Sequence, residues 1–190
     1  LPESPDLPGK NSRLPGPYTH KNLTVYLIHG GDVLKGTPPL TLEEALKRKV
    51  VLVHETEDVN ELAIENVSQK DEVYVQAGDI VKGGMQDRIL AVDLIVPARS
   101  GPLPIDSFCV ERGRWTTRGT EPSAKFDSSA EYVSSKDMKV AARISKSQDQ
   151  VWNEVEESQS KLSAATNSNT ASSVSNSSLP LTLEHPRVRA

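Results

Sequence analysis

The strongest constraint on this chain is a set of short β-like runs placed close together. Leu23-Thr-Val-Tyr-Leu-Ile28 alternates and is rich in β-branched and aromatic residues, which predicts a strand. Residues 50–53 form an apolar run too short for a helix of its own. Residues 61–67 alternate, with Leu62 and Ile64 on one face. Residues 72–76, 88–96 and 107–111 supply further candidates, and Pro97 closes the longest of them. Turn residues such as Gly30-Gly31-Asp32 and Ala77-Gly78-Asp79 separate the runs. Strands this short and this closely spaced predict a mainly β domain, an antiparallel sandwich or a barrel-like sheet. One short internal helix interrupts them: Thr41 and Glu44 stand at capping-box spacing, and Leu42, Ala45 and Leu46 give it a buried side. A single helix among so many strands argues against a βαβ layout.

A long C-terminal amphipathic helix follows. Ser134-Ser-Lys-Asp137 offers an N-cap, and Val140, Ile144, Val151, Val155 and Leu162 recur at spacings of four and seven. The helix expected over 134–162 packs on the sheet or meets a partner protein. Residues 1–22 contain five prolines and are expected to be disordered, whereas 163–178 are dominated by Ser, Asn, Thr and Ala and read as a linker. That leaves 23–162 as a single β-rich domain, long enough for one real core. The chain starts at Leu1 with no signal-like apolar run, as if an upstream segment had been removed. The apolar run at 179–183 reads as the opening of a further, truncated segment.

Composition removes several function classes. The net charge is −4 with both signs interspersed, and no basic stripe with interleaved aromatics suggests nucleic-acid binding. No apolar run approaches the roughly 20 residues of a membrane span. One cysteine precludes an internal disulfide and a cysteine zinc cluster, and leaves the compartment open.

Chemistry concentrates between Gly78 and Trp115. Gly78, Gly83 and Gly84 surround Asp79 and Lys82, in a spacing that fits neither a Walker loop nor a dinucleotide fingerprint. The segment is either a loop whose amides cradle an anion or a bulged hairpin with glycines at its turn. Strand alternation puts Gln86 with Arg88 on one face and Asp87 on the other, with Asp93 on the side of Asp87 if the strand is unbroken. Cys109 and Glu111 would likewise share a face. One reading is a polar pocket in a barrel mouth, using Glu111 with Arg88 or Arg114. The other is an Arg–Glu pair on an exposed sheet face, worth little energetically. Cys109 would need a base to act as a nucleophile, and a lone cysteine is more often a small buried hydrophobe. His54-Glu55 with Glu57 and Asp58 could ligate a metal, but HExxH is absent and an acidic loop explains the string; no metal is expected. Trp115 and Trp152 read as core or interface anchors.

Several strings resemble a bacterial domain family named for its association with ADP-ribosylglycohydrolases and rhodanese-phosphatases. They include Leu40-Thr-Leu-Glu-Glu-Ala45, Val53-His-Glu-Thr-Glu-Asp-Val-Asn-Glu-Leu62 and Gln76-Ala-Gly-Asp-Ile-Val-Lys-Gly-Gly84. Gln86-Asp-Arg88, Ser107-Phe-Cys-Val-Glu-Arg-Gly-Arg-Trp115 and Ser145-Lys-Ser-Gln148 complete the match, over about 22–162. The resemblance implies a role near ADP-ribose or NAD-derived metabolism and names no reaction. It also implies a second conserved segment after the Ser/Asn-rich linker. The expectation is therefore a ligand-binding or accessory domain for a nucleotide-derived or phosphorylated small molecule. Its candidate ligand residues are Asp79, Lys82, Gly83, Gly84, Gln86, Asp87, Arg88, Glu111 and Arg114. The cofactor is left unassigned. The alternatives are a hydrolase using Glu111, Asp87 or Cys109, and a protein-interaction module using the helix.

Overall fold

A computed structural model describes residues 12–31, 35–56, 58–119, 125–129 and 134–190. The expectations that fall on residues 1–11, Asp32 and Glu57 lie outside these. The chain divides into two compact units, one ending at Pro38 and one spanning Pro39–Ala190. In the first, β1 (Tyr18–His20) pairs antiparallel with β2 (Leu23–Val25) around a turn at Lys21, and an isolated bridge joins Arg13 to His29. All six strand residues are exposed. The strand expected over 23–28 is thus shorter than its alternation suggested, and part of the Pro-rich segment supplies its partner.

The second unit is mainly antiparallel sheet. Its elements begin with β3 (Leu40–Thr41), α1 (Leu42–Lys47), β4 (Val51–Glu55), β5 (Glu61–Asn66) and β6 (Val73–Val75). They continue with β7 (Ile80–Gly83), β8 (Arg88–Leu90), β9 (Leu94–Val96), β10 (Leu103–Cys109) and β11 (Phe126–Ser128). Six strands pair in the order β11-β7-β8-β10-β5-β4, and β11 approaches β4, so the sheet is nearly closed into a barrel. The long β10 makes this possible by serving two neighbours. Leu103–Asp106 lies opposite β5, and the following three residues, Ser107, Phe108 and Cys109, lie opposite β8. A smaller sheet, β3-β6-β9, contains a parallel pair, β3 with β6. The capping box forms as expected: the Glu44 N–H donates to Thr41 Oγ1 at 3.2 Å and the Thr41 N–H to Glu44 Oε2 at 2.9 Å.

Alternation creates two cores. Leu62, Ile64, Val51, Val53, Val81, Leu90, Ile105 and Phe126 fill the barrel interior, and α1 contributes Leu42 and Ala45. Full burial of a side chain such as Leu62 contributes roughly 1.5–3 kcal/mol. On the other face of β7, β8 and β10, Ile80, Ile89 and Phe108 pack under helices. These are α2 (Lys136–Lys139), a π-helical turn (Val140–Ile144), α3 (Gln148–Thr166) and α4 (Leu179–Leu183). A last turn, α5 (Pro186–Arg189), ends the chain.

The long helix is present as α3, but it starts later than the expected 134–162. Lys146 adopts a left-handed backbone, and Ser147 then caps α3 by accepting from the Gln150 N–H. The apolar stripe is split by that break. Val151 and Val155 are buried, whereas Val140 and Ile144 are exposed, and Met138, Ala141 and Ala142 enter the core instead. Residues 88–96 also break, into β8 and β9, so Asp93 does not share the setting of Asp87: it is exposed and pairs with Arg143. Within 163–178, Thr170 and Ser178 are fully buried, and Leu179 belongs to the second core.

Candidate functional site

The hairpin β7–β8 carries most of the candidate residues, and its register decides where they go. Residues opposite one another in an antiparallel pair share a face. Val81 faces Arg88 and Cys109 faces Arg88, so these three point into the barrel with Leu90 and Ser107. Ile80 with Ile89, and Phe108, point outward under the helices. Asp87, one residue before Arg88, belongs to the outer face.

A polar cluster therefore occupies one end of the barrel interior. Arg88, 1% exposed, donates from Nη1 to Cys109 Sγ at 2.8 Å and to the Val59 carbonyl. Its Nη2 reaches Glu55 Oε2 at 3.4 Å. Glu55 also accepts from the Met85 N–H at 2.7 Å, and the Cys109 thiol donates to Gln86 Oε1 at 2.7 Å. The Gln148 amide clamps the Cys109 backbone from α3, accepting from its N–H and donating to its carbonyl, both at 2.8 Å. Burial pushes the Cys109 thiol up, an effect that the nearby Arg88 charge only offsets in part. The sulfur is thus held protonated beside a guanidinium and an amide, and neither is a base. Burial of this kind disfavours the thiolate.

The second cluster, on the outer face, contains two carboxylates and two guanidiniums. Arg118 grips Asp87 through two parallel bonds, Nη1 to Oδ2 and Nη2 to Oδ1, each 2.9 Å. Asp87 further accepts from the Gly83 N–H at 2.9 Å and from the Ser178 hydroxyl at 2.6 Å. Glu111 accepts from Arg114 Nε at 2.8 Å and from the Asp87 N–H at 3.2 Å, and it lies 3.5 Å from Arg118. Arg114 spends its remaining donors on the carbonyls of Gly83, Gly84 and Thr116. The Asp87 and Glu111 side chains are fully buried, and Arg114 and Arg118 nearly so. Ser178 also caps α4, accepting from the Leu181 N–H, so the cluster ties the C-terminal helices to the barrel.

The glycines read as hairpin geometry. Gly83 and Gly84 both have positive φ, which most side chains avoid. The Gly83 N–H is taken by Asp87 and the Gly84 N–H faces the Lys125 carbonyl. Lys82, on the outer face, donates to both oxygens of Glu184 at 2.8 Å.

Asp79 stands apart from both clusters. It lines a cavity of about 220 Å³ with Thr41, Glu43, Tyr74, Gln76, Ser128 and Ser129. Its Oδ2 accepts from the Gln76 N–H at 2.9 Å. Partial burial raises its carboxyl above the usual range, against the pull of that backbone bond and of Lys139. Beyond the wall, the Tyr74 hydroxyl donates to Asp93, which also takes the Ala77 N–H and Arg143.

The candidate residues thus separate into three places. Gln86 and Arg88 sit with Cys109 inside the barrel, and Asp87, Glu111 and Arg114 sit in the buried outer cluster. Lys82 lies beyond that cluster, and Asp79 alone lines the cavity. Glu111 meets Arg114 as one sequence reading had it, but in a closed cluster rather than a barrel mouth or an exposed sheet face. Arg118, Ser178 and Gln148 are central to these contacts and were missed. The recurrence of Arg112, Arg114 and Arg118 beyond Glu111 was a signal that the buried carboxylates had partners in the same stretch. His54, opposite Ala63 in the β4–β5 register, reaches the diagonal Glu65 at 3.2 Å, and among the described residues no cluster of His, Cys, Asp and Glu suits a metal.

Residues 11–184 match the model of the ARG and Rhodanese-Phosphatase-superfamily-associated Protein domain family. Comparison with curated proteins and with solved structures found no match.

Proposed function

We propose that this chain, which belongs to the ARG and Rhodanese-Phosphatase-superfamily-associated Protein domain family, is a ligand-binding or accessory domain. Its ligand class is the hydroxyl-bearing pentose portion of a nucleotide-derived molecule, and its site is the Asp79 cavity. The carrying observation is that Asp79 is the one candidate carboxylate set in a cavity rather than in a closed ionic cluster. Thr41, Tyr74, Gln76, Ser128 and Ser129 line the cavity with it, beside Leu42 and Ile80, a largely polar lining suited to a polyol. The carboxylate accepts from sugar hydroxyls, and the tyrosine ring offers an apolar edge. About 220 Å³ falls below the roughly 300–1,000 Å³ of drug-sized sites, so the cavity takes a pentose and leaves the rest of a larger nucleotide outside. Glu43 and Asp79 make the cavity acidic, so the neutral hydroxyls enter it and any phosphate stays out.

Calorimetric titration with ADP-ribose, adenosine and free ribose tests this. Binding of the first two is expected, and Asp79→Asn should weaken it about tenfold or more, since a hydrogen bond to a charged group contributes roughly 1.5–3 kcal/mol. Absence of heat with all three compounds, or unchanged affinity in Asp79→Asn, would contradict the reading. The same substitution gives a stability test with a defined sign. A folded-state pKa raised above the unfolded value disfavours the ionised folded form. Stability from this group is therefore lost as pH rises from the unfolded pKa through the folded one. Asp79→Asn removes that loss, so the variant is expected to gain on wild type in thermal midpoint above this window.

A further inference from the structure

The π-helical turn Val140–Ile144 carries a second surface, whose hollows share no lining residue with the Asp79 cavity. Wide helical turns of this kind are rare and recur at functional sites. Here the turn buries Ala141 and Ala142 and leaves Val140 40% and Ile144 72% exposed. Val140 forms a ridge between two concavities of opposite character. On one side, a hollow of about 410 Å³ is lined by Lys136, Lys139, Arg143 and Ile144. On the other, a hollow of about 280 Å³ is lined by Asp137, Gln150, Asn153 and Glu154. Burial and the neighbouring carboxylates of Glu157 and Asp137 push Glu154 up, so negative charge is crowded on that side. On the basic side Arg143 is joined to Asp93.

We propose that this face is an interface between two copies of the chain, related by a two-fold axis through the Val140–Ile144 ridge. A two-fold interface must be self-complementary, because the same patch meets itself inverted. An apolar ridge with a basic hollow on one flank and an acidic hollow on the other meets that condition. Inversion sets the basic flank of each copy against the acidic flank of the other, and the two ridges pack between them.

Sedimentation of the full chain over a concentration series tests the proposal. Wild type is expected to form a dimer, and Ile144→Asp to remain monomeric with its circular dichroism and thermal midpoint kept, since that side chain has no place in the core. A reciprocal pair of variants tests the charge arrangement. Lys136→Glu with Arg143→Glu should abolish self-association, as should Asp137→Lys with Glu154→Lys. Mixing the two should restore a dimer of unlike chains. A wild type that stays monomeric throughout, or a dimer indifferent to Ile144→Asp, overturns the proposal. If either charge variant fails to fold, the Ile144→Asp result decides alone.

Discussion

Asp87→Ala is expected to destabilise the 39–190 unit by about 3–5 kcal/mol, because it removes the bidentate partner of a buried guanidinium, whose contact with Glu111 is longer, at 3.5 Å. Arg118, with its side chain 3% exposed, would keep its charge and lose both strong bonds. Ser178 and the Gly83 N–H would lose their acceptor at the same time. A shift of the denaturant midpoint with unchanged slope measures this. The exposed Lys146–Asp106 pair is the comparison: Lys146→Ala should cost no more than about 1 kcal/mol. The claim concerns breaking the cluster and not its net worth. A buried ion cluster can be close to neutral against a well-packed apolar replacement while remaining costly to break. An unchanged midpoint in Asp87→Ala would mean that water or a counter-ion reaches Arg118.

The second large effect is at Gly84. A Cβ built there would stand 2.3 Å from Phe126 Cζ and 2.4 Å from Glu55 Oε1, with φ at +53°. Left-handed backbone costs a residue with a Cβ roughly 1–2 kcal/mol, and overpacking a filled site adds roughly 1–3. Gly84→Ala is therefore expected to lose about 2–5 kcal/mol. Gly113→Ala separates the two contributions, because Gly113 also has positive φ, at +83°, but open space around its Cβ position. It should show the backbone cost alone. Equal losses at both positions would mean that Phe126 and Glu55 move aside freely.

The strand periodicity of this chain carried the fold class, because period-two burial in β4 and β5 is written directly in residues such as Val51, Val53, Leu62 and Ile64. The capping box at Thr41 was legible for the same local reason. Two strands of the six-stranded sheet were not. β7 contains Lys82 and Gly83 and so reads as a glycine loop, and β11 lies in a polar stretch with Phe126 as its only large apolar residue. Both owe their strand form to partners distant in sequence. The same limit applied to the polar residues. Alternation correctly separated Asp87 from Gln86 and Arg88, but it could not say that both faces of this hairpin are covered. β8 is buried on both faces, by the barrel on one side and the helices on the other, so its polar neighbours are enclosed rather than presented. Ser178 lies 91 positions from Asp87, and nothing in the local pattern of a Ser/Asn-rich stretch reveals a hydrogen bond at that range.

This enclosure explains why, of the motif carboxylates, Asp79 is the one proposed to meet a ligand. Arg114, Arg118, Asp87 and Glu111 neutralise one another and join the C-terminal helices to the barrel, whereas Asp79 keeps a carboxyl against open space. A double-mutant cycle on Asp87 and Arg118, read by denaturant unfolding, tests the structural role of the cluster most directly. The account predicts that Asp87→Ala and Arg118→Ala are each strongly destabilising and that the double variant is less destabilised than their sum, with a coupling toward the upper end of the roughly 0.5–3 kcal/mol seen for contacting residues. Additive losses, with no coupling between the two side chains, would contradict it.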